Sequence, residues 1–216
     1  MANVRERWAK AALARTLFIV LCSLVLCTSC APKRVEMPVY EGADPADVLS
    51  ARDAIREMEA TLSIEFEKDG SLMRGDAVLR LTPDILDMQV YTLGFLVGEV
   101  TSDATTTRSE PPMDRNKLSI LVDGIRNSFF WWSIKAPAIT SEDGLYRVAN
   151  SWRRLFLDRR TMMPAKQIID LDDGRQLTVV YEEPALMEGE WFPSRMRIEL
   201  LNQALSLRIK TLSFKK

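Results

Sequence analysis

Leu62-Ser63-Ile64-Glu65-Phe66-Glu67-Lys68-Asp69-Gly70-Ser71-Leu72-Met73-Arg74-Gly75-Asp76-Ala77-Val78-Leu79-Arg80-Leu81 reads as two strands joined by a tight turn. Leu62, Ile64 and Phe66 are separated by single polar residues, the period of two that sends alternate side chains to opposite faces of a strand. Asp69-Gly70 suits a two-residue hairpin turn, whose central residues need positive φ. On the return, Met73, Ala77, Leu79 and Leu81 alternate with Arg74, Asp76 and Arg80. A hairpin with one oily and one charged face belongs to an antiparallel sheet covered on one side only.

Upstream, Asp44 is placed to cap a helix, Pro45 suits its first position, and Asp47 adds an acidic first turn. Val48, Ala51, Ile55, Met58 and Leu62 recur at helical spacing and predict one buried stripe. Downstream, Pro83-Asp84 is a turn, Met88 and Val90 belong to a third strand, and Val97 to Thr101 to a fourth. Residues 102–114 are polar and predict a surface loop. Asp114 then caps a second helix, whose seam is Leu118, Leu121, Ile125, Phe129 and Trp132. Gly124 within that seam leaves an Asp123-Gly124 hairpin as the competing reading. From Gly144 the chain reads as an antiparallel meander of short strands with turns at Asp172-Asp173-Gly174 and Asn202-Gln203. The expectation is α+β, mainly β: one twisted sheet of roughly nine to eleven strands with one or two helices on its apolar face.

All three cysteines, Cys22, Cys27 and Cys30, lie near the N-terminus, and the chain has no histidine. Thiolate chemistry, Ser–His catalysis and the usual zinc sites are therefore not expected of the rest. No cofactor or metal is expected either. Arg5, Arg7, Lys10 and Arg15 precede an apolar run from Leu17 to Leu26 that is short for a membrane span. Cys27-Thr28-Ser29-Cys30 follows and resembles the lipobox of bacterial lipoproteins, with Cys27 where leucine is usual. That reading divides the chain into a signal peptide (1–29), an acylated Cys30 with a tether (30–43), and one domain (44–216). An ordinary cleaved signal or an uncleaved anchor are the alternatives. In lipoprotein-sorting systems resembling the enterobacterial one, Ala31, with no aspartate after the cysteine, implies release to the outer membrane, the domain facing the periplasm. Without residues 1–29, 25 basic and 29 acidic residues remain, a balance that does not recommend nucleic acid as a partner.

Three stretches resemble the lipoprotein-localisation factors of the LolA/LolB type. They are Asp87-Met88-Gln89-Val90-Tyr91-Thr92-Leu93-Gly94 running into Phe95-Leu96-Val97-Gly98; Pro164 to Gln167 with Asp172 to Arg175 and Val179 to Tyr181; and Gly189 to Pro193 continuing through Met196–Glu199 to Leu207–Lys210. The resemblance covers most of residues 46–214, rests on pattern, and is nearest to the outer-membrane LolB-like branch. It implies an open antiparallel half-barrel lidded by helices, with a hydrophobic cavity for acyl chains.

On that comparison Leu93, with Gly94, Phe95 and Leu96, takes the place of a loop that helps set lipoproteins into a membrane. The bare residues leave two readings: an apolar loop tip, or a buried strand with a bulge at Gly94. The expected cavity lining is Leu62, Ile64 and Phe66 from the first strand, Leu79 and Leu81 from the second, and Met88 and Val90 from the third. Phe129 and Trp132 would contribute from the helix, and Val180, Met196, Ile198, Leu207 and Ile209 from the meander. Of the four aromatics Phe129 to Trp132, either at least one faces outward, into a cavity mouth or the membrane interface, because a helix cannot bury all four on one side, or they pack at the edge of the core. Arg153-Arg154 and Arg159-Arg160 read as the wet face of the sheet. The pairs Asp172-Asp173 and Glu182-Glu183 read as solvated turn charges. The expected function is non-enzymatic: binding acyl chains of lipoproteins or similar amphiphiles, with membrane lipid and a periplasmic carrier as partners. A structural or accessory envelope lipoprotein on the same scaffold is the alternative.

Overall fold

The computed structural model describes residues 36–40 and 42–216. The signal segment, Cys30 and tether residues 31–35 and 41 lie outside them. The compact unit Met37–Lys216 contains every strand and the core. It opens with α1 (Pro45–Ala51), whose N-cap Asp44 accepts a hydrogen bond from the Ala46 backbone N–H at 2.8 Å. A 3-10 turn over Arg52–Ala54 follows, and the backbone is extended by Ile55. The predicted helical stripe thus ends early: Met58 and Leu62 belong to a strand. A step of four residues conserves side-chain face in a strand as well as in a helix, so that spacing did not discriminate.

Five strands come next: β1 (Glu57–Lys68), β2 (Ser71–Leu81), β3 (Leu86–Thr92), β4 (Phe95–Ser102) and β5 (Thr107–Glu110). Seven more form the second half: β6 (Ala138–Glu142), β7 (Leu145–Ala149), β8 (Arg153–Asp158), β9 (Pro164–Asp170), β10 (Gln176–Met187), β11 (Glu190–Leu200) and β12 (Gln203–Lys215). Each half is an antiparallel meander, and pairing of β1 with β12 fuses them into one twelve-stranded sheet. The order is β5-β4-β3-β2-β1-β12-β11-β10-β9-β8-β7-β6, so β5 and β6 are free edges and the sheet stays open.

Both edge strands escaped the sequence reading, for one reason. β5 falls inside the stretch predicted as a polar loop, and both β5 and β6 are largely exposed, leaving no alternation to detect.

Between the halves, residues 115–129 cross the apolar face as α2 (Arg115–Ser119), a π-helical turn (Ile120–Gly124) and α3 (Ile125–Phe129). The helix reading therefore holds over the Asp123-Gly124 hairpin. Ile120, Leu121, Ile125 and Phe129 are buried against the sheet. The chain leaves helical geometry at Phe130 (φ −91°, ψ 49°). Its changed direction lets Phe129, Phe130, Trp131 and Trp132 all be buried, against the reading in which one faces out. Trp132 packs edge-on against Phe130 and Trp131, its ring centroid 5.4 Å from that of Trp131.

Candidate functional site

The middle of the trough is filled. Leu62, Leu79, Leu81, Met196, Ile198, Leu207 and Ile209 are buried in one continuous core with Phe129 and Trp132. Trp132 also borders a hollow at the end where β1 begins, with Leu49, Ile55 and Ile134. Val180 is misplaced by one residue. Leu177, Val179 and Tyr181 are the buried members of β10, and Val179 pairs in register with Ile198, so Val180 projects from the opposite face. A one-residue error in a period of two reverses the side.

At the other end, where β1 meets β2, the crossover stands clear of the sheet and leaves a cavity of about 480 Å³. Ile64 and Phe66 of β1, Met88 and Val90 of β3, and Leu205 of β12 form its sheet wall. Met113, Lys117 and Leu121 close it from the crossover side. Two glycines on the sheet wall help keep it open. A Cβ on Gly75 would come within 2.5 Å of the Tyr91 carbonyl oxygen, so no side chain is possible there without a shift. A Cβ on Gly98 would meet only ordinary contacts, the nearest 3.6 Å away, so a side chain is sterically admitted there. The sequence reading identified Ile64, Phe66, Met88 and Val90 but missed both glycines, Leu205 and the crossover residues. An isolated glycine in an alternating strand was the available signal.

The β3–β4 hairpin carries Thr92 and Val97 at this cavity and ends in an apolar tip. Leu93 and Gly94 both have positive φ (52° and 83°), the pattern of a two-residue hairpin turn. Leu93 is 92% exposed and Phe95 75%. Of the two readings of this stretch, the geometry is that of an exposed tip. The bulge lies further on, at Val97, where β4 carries one more residue than β3 between the pairs Val90–Gly98 and Tyr91–Leu96. Three other hairpins share the turn pattern but begin it with an acidic residue: Asp69-Gly70, Asp143-Gly144 and Glu188-Gly189. Leu96, Val97, Leu72 and Met73 extend the exposed apolar surface around the tip.

Polar contacts hold the crossover over the trough. Arg153, expected on the wet face, is instead only 2% exposed. Its guanidinium donates to the carbonyls of Asn127 (2.8 Å), Phe130 (3.0 Å) and Ser133 (3.0 Å) and to Gln167 Oε1 (3.1 Å). The Asn127 and Phe130 carbonyls lie at the end of α3, where a cation is favoured. Burial lowers the Arg153 pKa from the usual arginine value, and the same burial raises that of the Tyr181 phenol, which donates to Gln167 Oε1 at 2.9 Å. Nearer the cavity, Arg115 pairs with Asp173 (3.2 Å), and Arg175 binds both Asp173 (2.6 Å) and Asn116. Hydrogen bonds from Arg175 hold the Asp173 carboxyl down at about 2. Asp123, by contrast, is pushed up by desolvation, with Asp172 and Asp173 adding to the effect and Arg126 and Arg175 opposing it.

Arg154 pairs with Asp170 (2.9 Å), and Glu183 with Arg195 (3.0 Å). Among the described residues no group of three or more acidic side chains gathers to hold a metal. The cavity can bury an apolar chain; its lining brings no nucleophile–base pair together.

No protein-family model matches this chain, and no curated protein matches it in sequence. Solved structures do. A LolA superfamily protein from Nitrosomonas europaea aligns with TM-score 0.54 at 11% identity, over 81% of this chain and 95% of that one. A DUF1329 family protein from Desulfovibrio piger aligns with TM-score 0.55 at 10% identity, over 83% and 94%. A domain named for outer membrane lipoprotein sorting, from Vibrio parahaemolyticus, aligns with TM-score 0.50 at 10% identity, over 80% and 91%. The fold is thus LolA-like: a mainly β, open antiparallel sheet with short helices over its concave face.

Proposed function

We propose that this protein is a non-enzymatic acyl-chain carrier of the bacterial envelope, nearest in role to the LolB-like receptors. Cys30 carries the lipid that holds it on the periplasmic face of the outer membrane. The cavity receives acyl chains of lipoproteins or a similar amphiphile from a periplasmic carrier. The hairpin tip at Leu93, Gly94, Phe95 and Leu96 enters the lipid surface as the chains leave.

One observation carries this reading: a vacant apolar cavity lies at the base of an exposed apolar hairpin tip. Chain burial contributes about 0.8 kcal/mol per methylene, with no need for directional chemistry. A bilayer offers the same return with less confinement, so handover runs from cavity to membrane. The LolA-like fold adds a prior for lipoprotein sorting and no more than that.

The test is binding by the unit 37–216, which holds all twelve strands and the core. Organic extraction of the purified protein should recover lipid, and the emptied protein should quench or brighten a neutral hydrophobic dye saturably. Gly98→Phe, which adds a ring to the sheet wall of the cavity, should lower dye affinity at least tenfold while the thermal midpoint holds. An empty wild-type protein with no saturable site would leave the accessory-lipoprotein reading, which the filled middle of the trough favours.

A further inference from the structure

The charges around the cavity mouth are unequal in a way that selects among amphiphiles. Arg74, which also lines the cavity, is paired with Glu65 at 2.7 Å, and Arg115, at a separate polar hollow, with Asp173 at 3.2 Å. Lys68 pairs with Asp114 at 3.2 Å; that carboxylate also accepts from the Lys117 backbone N–H at 3.0 Å. Lys117 is different. It lines the cavity, it is half-buried, and among the described residues it forms no ion pair. Its Nζ rests over the Phe66 ring, 5.0 Å from the centroid. A cation over an aromatic face at the edge of an oily space is held but not neutralised.

Volume sets the second constraint. A cavity of about 480 Å³ lies within the range of about 300–1,000 Å³ that houses a single small ligand. The filled core beyond Leu121 blocks extension along the trough, so further chains have no continuation of that space to enter.

Resting on the acyl-binding reading above, we infer that the cavity's ligand is a single-chain anionic amphiphile: one alkyl tail in the cavity, with a carboxylate or phosphate monoester head at Lys117. Cargo with one charged head and one tail satisfies both features, whereas a triacylated neutral head satisfies neither.

The experiment displaces the neutral dye N-phenyl-1-naphthylamine from the unit 37–216. Competitors are hexadecanoate, single-chain lysophosphatidate, 1-hexadecanol and a triacylated lipopeptide, with native mass spectrometry reading the stoichiometry. One anion should bind per protein, about tenfold more tightly than the alcohol, the scale of one hydrogen bond to a charged group. Lys117→Gln should erase that preference, bringing both anions to the alcohol's affinity for the same variant. Whichever of the two anions binds more tightly assigns the head as carboxylate or phosphate. Equal affinity for acid and alcohol in the wild type overturns the headgroup assignment. A tighter triacylated lipopeptide overturns the single-chain assignment while sustaining acyl binding. Failure of every competitor and of the dye itself sinks both readings.

Discussion

Gly124 lies so close to Ile198 that a Cβ added to it would stand 2.7 Å from Ile198 Cγ2. It is the point at which the π-helical turn of the crossover is seated on β11. A glycine that costs helix stability is there because the backbone needs the room.

Gly124→Ala should therefore destabilise the fold by about 1–3 kcal/mol through overpacking, although alanine is the better helix former by about 1 kcal/mol. In an Ile198→Ala background the same change should be neutral or stabilising. Urea midpoints of the four proteins in that cycle measure the difference. A destabilisation that persists without the isoleucine side chain would place the cause elsewhere.

The guanidinium of Arg153 is the second anchor, gathering three carbonyls beyond and at the end of α3. Arg153→Met removes the buried charged donor shared by those carbonyls and Gln167, and should cost about 3 kcal/mol or more. Arg153→Lys should rescue little, since a point-like ammonium cannot replace the guanidinium fork. Chemical denaturation of both variants checks this, and full rescue by lysine would contradict the assigned geometry.

Asp123 gives the fold a pH dependence of defined sign. Its pKa is raised in the folded state, chiefly by desolvation, so the ionised carboxylate is a liability at neutral pH. That penalty fades as pH falls through the folded pKa, and it is gone below the unfolded value of about 3.9. Asp123→Asn should accordingly raise the thermal midpoint at pH 7 and give no gain at pH 3. A gain of the same size at both values would rule out titration as its origin.

Leu93 holds a left-handed backbone conformation (φ 52°) at an exposed turn, where asparagine or aspartate would sit with less strain. Leu93→Asn is expected to stabilise the protein by up to about 1 kcal/mol. The same change, like Leu93→Glu, should reduce delivery of bound fluorescent fatty acid to vesicles, without altering affinity in solution. Unchanged delivery by the stabilised variant would make the tip incidental.

Much of the architecture was legible in the residues. The alternation of Leu62, Ile64 and Phe66, the turn at Asp69-Gly70 and the meander after Gly144 each follow from a local period and local turn chemistry, and so survive without knowledge of the rest. The exposure of the Leu93 tip could only be posed as one of two readings, because apolar residues beside glycine fit a buried strand equally well. Tertiary structure alone decided where the trough is full and where it is vacant. Leu79 and Phe66 carry the same signal in sequence, yet Leu79 is packed into the core and Phe66 borders the cavity. What separates them is the path of residues 115–129 over the sheet, seated at Gly124 and pinned by Arg153, and packing of that kind depends on distances between segments that no local pattern encodes.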